Sequence, residues 1–415
     1  MVAFEEALNT VLTQDFGSPG CERVGLSDCA GRILAEDIFS DMDMPPFDKS
    51  AVDGYACRIA DVNWSPVMPA DAVVINSETI NSGLPHFASL RVIETIAAGS
   101  IPKKTILPFE CSKIMTGAMV PEGAGCVVMV EDMEMHGDNL VRQTVELSSK
   151  NICYRGEDIR AGDLVLGKGV TITPAHVAVL ASVGATNPLV AKLPRVGIIS
   201  TGDELVEPMV LPGPAQIRNS NGWQLAAQVM SVPAVSANLG IAPDNGPALR
   251  TIIDQALLEN DVVLLTGGVS MGEFDHVPEI MLEAGVEILF KKIAIQPGKP
   301  TVFGRKGNKF IFGLPGNPVS SYVLFEVLVR PFLRRMMGCM DNPLELTMSA
   351  GVDFSRRRSD RKSLIPVIIR GGNVFPVDYH GSAHINAFTK ANAIMIMEVG
   401  TQEINKEEEV HVRPL

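Results

Sequence analysis

Three short loops in the second half of the 415-residue chain combine glycine, hydroxyl groups and acids: STGDE (200–204), TGGVS (266–270) and GLPGNP (313–318). Glycines let a backbone approach a ligand closely, and the helix starts expected after Gly268 and Pro318 present amide donors to an anion. Ser200, Thr201, Gly202, Gly267, Gly268, Ser270, Pro315, Gly316 and Asn317 are therefore expected to cradle a phosphate. One such loop alone would read as an ordinary turn; three of them change the balance. Neither GxxxxGK[ST] nor GxGxxG opening a helix occurs, so the phosphate is held without a nucleotide P-loop or a dinucleotide turn. Asp203, Glu204, Asp244 and Asp275 fall at or just beyond the same strand ends and would repel an anion there. A hard divalent cation removes that conflict. Magnesium, which takes few carboxylates plus phosphate oxygens and water, suits this mixture better than zinc with its Cys and His ligands. Acids of this group would hold it, although Asp244, two residues before Gly246, also reads as a helix cap. In QPGKPT (296–301), Lys299 sits in a turn held by Pro297, Gly298 and Pro300, a restrained point charge for an oxyanion.

These loops need an element pattern that gathers them. Apolar strand-like runs at 196–199, 234–239, 261–265 and 309–312 alternate with helical patterns at 221–230, 276–283 and 319–337. Such alternation predicts a mostly parallel sheet with helices on both faces, whose loops after the strands line one edge. Before this region, residues 40–141 are short apolar runs broken by Pro and Gly, which predicts a β-rich domain. Phe4, Ala7, Leu8, Val11 and Leu12 recur at helical spacing, as does the apolar stretch 175–183, and both read as packing faces. The last stretch, 342–415, returns to short strands and predicts a small β-barrel or sandwich.

A chain of this length exceeds a single core and predicts two to four domains. With 48 acidic against 35 basic residues the net charge is −13, which disfavours nucleic acid and anionic membrane surfaces as partners. The seven cysteines show no CxxC pair or metal-ligand spacing and read as buried thiols of a reducing cytoplasm. No signal-peptide pattern opens the sequence and no apolar run reaches about 18 residues, so a cytoplasmic protein is expected.

Seven motifs together identify a resemblance: PPFDKSAVDGYA (45–56), KIMTGAMVPEGA (113–124), RGEDI (155–159), STGDEL (200–205), GGVSMGEFD (267–275), QPGKP (296–300) and GLPGNPVSS (313–321). In this order and over nearly the whole chain, the sequence resembles MoeA-type molybdopterin molybdenumtransferases, the group that includes the E domain of gephyrin. The resemblance implies a homodimer of multidomain α/β subunits. In each subunit it implies a MogA-like three-layer α/β/α molybdopterin-binding domain (191–340), an inserted β-rich domain (44–141) and a C-terminal β-barrel (341–415). Segments 1–43 and 142–190 would form an elongated dimerisation domain. It implies insertion of molybdate into adenylyl-molybdopterin with release of AMP, assisted by magnesium or a similar ion. An upstream adenylyltransferase and molybdoenzyme maturation factors would be partners. Matched residue by residue, Asp53, Thr116 and Asp158 correspond to the far wall of the active cleft, supplied across the dimer interface. Glu204, Asp244 and Asp275 correspond to acids near the pterin phosphate and metal; Lys299, Pro300 and Ser320 correspond to the molybdate region.

The chain departs from the common pattern where cations are expected. Gln296 stands where many relatives carry lysine, Cys153 and Tyr154 precede RGED in place of basic residues, and Arg361 and Ser382 are the nearest matches to barrel residues of the cleft. Fewer cations weaken the hold on a dianion. That raises an alternative, a catalytically impaired paralogue that binds molybdopterin and carries it to an acceptor, which the presence of Asp53, Glu204, Asp244, Asp275 and Lys299 argues against.

Overall fold

Consecutive apolar residues form the strands of the α/β domain because both faces of their sheet are covered. Numbered in chain order within this domain, β1 is Arg195–Thr201, β2 Val235–Ala242, β3 Val262–Thr266, β4 Glu287–Phe290, β5 Val302–Lys306 and β6 Lys309–Leu314. Successive side chains leave a strand on opposite faces. Val196, Ile198, Val262, Leu264, Phe310 and Phe312 enter one core, while Ile199, Val263, Leu265 and Ile311 enter another. Helix α1 (Ser220–Met230) adds Leu225 and Val229 to the first core. Helices α2 (Gly246–Glu259) and α3 (Val277–Glu283) add Leu249, Ile253, Val277 and Ile280 to the second. The result is the expected three-layer α/β/α domain. The computed structural model describes residues 1–17, 20–62, 88–269 and 277–415.

The sheet runs β2-β1-β3-β6-β5-β4. Its first four strands are parallel, but β5 pairs antiparallel with β6 and with β4, so the sheet is mixed. The expectation of a mostly parallel sheet holds, with β5 alone running against the other strands: β5 and β6 are joined by the tight turn KGNK, a hairpin rather than a crossover. The helical run expected at 319–337 also differs. It is α4 (Pro318–Leu324), a π-helical turn (Phe325–Val329) and α5 (Arg330–Met336). Buried Glu326 lies in that π turn, accepting from Gln228 Nε2 at 2.7 Å and from both Nε and Nη2 of Arg330. The N-terminal helix Phe4–Leu12 buries Phe4, Ala7 and Val11 in the first core, as its spacing predicts.

Residues of the last stretch close a five-stranded barrel. Lys362–Arg370 pairs with Asn373–Pro376 on one side and Ala393–Met397 on the other; Leu346–Ala350 and Glu409–Pro414 complete the ring. Ala350, Val367, Val374, Met395 and Val412 fill its interior.

Contacts divide the chain into two compact units: Met1–Glu36 with Gly167–Ala178 and Thr186–Leu415, and Asp37–Leu166 with Val179–Ala185. The second holds a six-stranded sheet, in the order Cys126–Met129, Gly54–Cys57, Glu110–Ile114, Ser89–Ile96, Leu140–Gln143 and Met133–Met135. Also in this unit, Ile38–Phe39 pairs with Leu164–Leu166, and Lys49–Ser50 with Ile152–Cys153. None of the seven cysteines is in a disulfide. Five are buried, but Cys21 is exposed and Cys153 half-buried, against the expectation of buried thiols: both lie on short two-stranded pairings with little to cover them. Burial pushes the Cys126 thiol up to about 12, which keeps it protonated and inert.

Candidate functional site

Strands β1, β3 and β6 run in the same direction and end on STG, TGG and LPGN, so their loops meet at one edge of the sheet. They open into a cleft of about 1130 Å³. Ser200, Thr201, Gly202, Glu204, Asp244, Gly267, Gly268, Pro315, Gly316, Asn317 and Ser320 line it from the α/β domain. Gln296, Lys299 and Pro300 line it from the Lys299 loop, and Arg361 and Ser382 from the barrel. Of the expected residues of this unit that are described, all but Asp203 reach one cleft; Ser270 and Asp275 lie outside the described residues.

Asn221, which the sequence reading did not single out, joins the loops. Its Nδ2 donates to Thr266 Oγ1 at 2.9 Å and to Gly316 O at 2.8 Å, and the Thr266 hydroxyl donates to Pro315 O at 3.2 Å. Asn219 caps α1: its Oδ1 accepts from Gly222 N at 3.0 Å and from Ser200 Oγ at 2.9 Å. Gly267 has φ +102° and packs on β1, where a Cβ would overlap Thr201 O and lie 2.7 Å from Thr201 Oγ1. Arg218, Asn219, Asn221 and Tyr379 also line the cleft. An asparagine pair opening a helix after a strand and a loop was the available signal, and it was hidden by the long insertion between β1 and α1.

Lys299 is exposed at the cleft, on a backbone fixed from both sides. Ile293 N donates to Lys299 O at 3.0 Å and Thr301 Oγ1 to Gly298 O at 2.6 Å. Gly298, at φ +112°, sits where a Cβ would come 2.8 Å from Leu324 Cδ1. The preceding strand Ile295–Gln296 pairs in parallel with Lys362 and Ser363 of the barrel, so the lysine loop and the barrel share one sheet. Arg361, next to that pairing, donates from Nη2 to Gln296 Oε1 at 3.5 Å. The cationic end of the cleft thus consists of Lys299 and Arg361, with Gln296 tethered to the arginine.

One expectation about amide donors is corrected; the other, a helix start just after Gly268, falls on residues 270–276, which lie outside the described residues. The helix at Pro318 offers no free donor where one was expected: Pro318 has no N–H, Val319 N donates to Ser382 O at 3.0 Å, and Ser320 N to Asn317 O at 3.0 Å. Two expectations about the acids also change. Asp203 does not line the cleft; its Oδ1 accepts from Asp244 N at 3.1 Å. Helix α2 is capped by Asn245, whose Oδ1 accepts from Ala248 N at 3.2 Å, so Asp244 is not the cap.

Among the described residues no three His, Cys, Asp or Glu side chains are grouped to hold a metal. Two exposed carboxylates, Glu204 and Asp244, do line the cleft, and among the described residues no Cys or His does. That all-oxygen set fits magnesium, which binds through one or two carboxylates and keeps water and substrate oxygens.

In the other unit, Asp53 Oδ1 accepts from Thr116 N at 2.7 Å and from Thr116 Oγ1 at 2.9 Å. The Thr116 amide, then its hydroxyl, hold the Asp53 carboxyl below the usual carboxylate range. Asp158 is exposed, its N–H donating to Met44 O at 3.0 Å. Arg155, the cation of RGEDI, is paired through Nε to Asp43 Oδ2 at 2.6 Å, and its N–H donates to Asp48 Oδ1 at 2.8 Å.

Family models match in three consecutive pieces: the MoeA N-terminal region, domains I and II, over 2–184; a probable molybdopterin binding domain over 197–335; and the MoeA C-terminal region, domain IV, over 352–415. A molybdopterin molybdenumtransferase of Staphylococcus epidermidis is 34% identical over 409 residues, covering 97% of this chain and 92% of that protein. One of Staphylococcus aureus is 31% identical over 406 residues, with the same coverage. The crystal structure of a molybdopterin biosynthesis MoeA protein from Pyrococcus horikoshii OT3 superposes with a TM-score of 0.82 at 28% identity, covering all of both chains. Among the described residues no helix is long and apolar enough to cross a membrane.

Proposed function

The chain belongs to the MoeA family, and on that premise we propose that it is a molybdopterin molybdenumtransferase, inserting molybdate into adenylyl-molybdopterin with release of AMP. The observation that carries this reading is the single cleft onto which the three strand-end loops, the Lys299 loop and the barrel residues Arg361 and Ser382 converge. Its lining combines the hydroxyls and glycines of the strand-end loops with the cations Lys299 and Arg361, groups suited to a phosphoanhydride and an incoming oxyanion.

In this reading Lys299 and Arg361 hold the molybdate oxyanion, with Pro300, Ser320 and Ser382 shaping its seat. The hydroxyls and glycines of the strand-end loops hold the pterin phosphate. Glu204, Asp244 and Asp275 would hold a magnesium ion, which when bound would neutralise the phosphoanhydride charge. An acid of the same set orients the attacking oxygen, from molybdate or water, at the adenylyl phosphorus; the phosphoanhydride P–O bond breaks and AMP leaves, and the two dithiolene sulfurs replace molybdate oxygen, which departs as water with the thiol protons. Asp53, Thr116 and Asp158 complete the wall from the second subunit of a homodimer. The further parts of the reading are a cytoplasmic enzyme, an upstream adenylyltransferase and molybdoenzyme maturation factors as partners, and domains at 1–43 with 142–190, 44–141, 191–340 and 341–415.

The test is turnover with defined components. Purified protein, adenylyl-molybdopterin, magnesium and molybdate are expected to yield AMP and molybdenum cofactor, and Asp275→Ala is expected to abolish AMP release. Binding without AMP release by the unaltered protein would leave the carrier alternative standing, and turnover retained by Asp275→Ala would remove that residue from the metal site.

A further inference from the structure

Four consecutive residues, Arg218 to Asn221, line the cleft where α1 begins. Helix α1 is 11 residues long, so its first turn carries the unpaired amides and the positive end of the helix dipole. Asn219 satisfies one amide, that of Gly222. The N–H groups of Ser220 and Asn221 meet no acceptor among the described residues. This start differs from the helix at Pro318, whose amides are already spent on Ser382 O and Asn317 O.

Unpartnered side-chain atoms stand in the same corner. Thr201 is 3% exposed and its Oγ1 has no partner; Asn219 is 1% exposed and its Nδ2 has none. Both residues line the cleft. Most buried polar atoms in folded proteins are paired. Of the nine buried side-chain atoms without a partner among the described residues, these two alone belong to residues that line the cleft. With the two free amides, they mark a place for a ligand to complete. Arg218 adds charge: it donates through Nε to Val210 O at 3.2 Å, and among the described residues nothing accepts from its two terminal nitrogens. The nearby acid Glu204 sets the requirement for a cation when an anion enters.

We propose that the adenylyl phosphate of the substrate seats on the first turn of α1, on the amides of Ser220 and Asn221, and that Asn221 is a positioning residue. Its side chain pins this turn to the β3 and β6 loops through Thr266 Oγ1 and Gly316 O. The inference rests on the transferase reading for the identity of the substrate, but the anion seat itself does not depend on it. The three loops named from the sequence then become the walls of the seat, and the floor is a helix start that follows them.

Ser220→Pro isolates the amide. Proline is favoured at the first position of a helix, where no intrahelical bond is lost, so the change removes one donor and leaves the fold intact. Ser220→Ala keeps the amide and removes only the hydroxyl. The probe is AMP, titrated calorimetrically, with adenosine as the phosphate-free control. AMP is expected to bind the unaltered protein and adenosine far more weakly. Ser220→Pro is expected to weaken AMP at least tenfold with an unchanged melting temperature, while Ser220→Ala stays within about twofold. Asn221→Ala is expected to raise KM for adenylyl-molybdopterin more than it lowers kcat, which a general loss of stability would not do. AMP binding by Ser220→Pro equal to that of the unaltered protein overturns the seat. If the AMP pattern holds but no AMP is released from adenylyl-molybdopterin, the seat survives and the transferase reading falls.

Discussion

The cleft of the α/β domain and the Asp53 turn of the other unit carry residues of equally clear motifs, yet their polar groups are in opposite states. In the cleft, Thr201 Oγ1, Asn219 Nδ2 and the first amides of α1 lack partners. At the turn, Asp53 already accepts two bonds from Thr116, and Arg155 is paired with Asp43. Burial without a partner costs free energy that a bound ligand recovers, whereas a carboxylate satisfied by its own chain stabilises its own loop. The cleft is built for something absent from the chain; the turn is complete by itself and can act on a substrate only through its charge and shape.

Three variants press on that contrast. Lys299→Ala should show the largest effect, lowering molybdate-dependent AMP release by about 100-fold, the scale of losing one fixed charge at a developing oxyanion; a smaller loss would shift the work to Arg361. Asp53→Asn keeps an oxygen for Thr116 and removes only the charge. It should lower kcat about tenfold with unchanged melting, and unchanged kcat would reduce the turn to a scaffold. Thr116→Val should show the smallest effect, read as the titration of the Asp53 carboxyl by NMR. Because the folded-state value is depressed, the stabilisation by this pair is present above the ordinary carboxylate value of about 3.9 and is lost as pH falls through the folded-state value. Removing the hydroxyl should raise the midpoint toward the ordinary value, while the remaining amide bond keeps it from arriving there. An unmoved midpoint would assign the whole depression to the amide.

Periodicity made the covered strands legible: Val262 to Leu265 could only belong to a sheet buried on both faces, and β3 lies where that run stands. It failed where turn chemistry decides, as at the hairpin that makes β5 antiparallel, and at α2, which its sequence did not announce. In the site, glycines and prolines marked the loops because they are visible one residue at a time. The clamp of Asn221 was invisible, since its meaning lies in reaching Thr266 and Gly316, 45 and 95 residues away. The amides of Val319 and Ser320 were misread for the same reason: Ser382, the acceptor for Val319, comes from the barrel.

The two-residue strand Ile295–Gln296 has a consequence for how such a protein can be dissected or recombined. Its sequence matches are three separable pieces, and the barrel looks like a detachable tail. Yet the barrel strand Lys362–Arg370 supplies the edge on which Ile295 and Gln296 rest, three residues from Lys299. Trimming the chain before the barrel would therefore not yield a smaller working domain, but one whose lysine loop has lost its anchorage. Exchange of barrels between relatives should succeed only when the donor brings a matching edge.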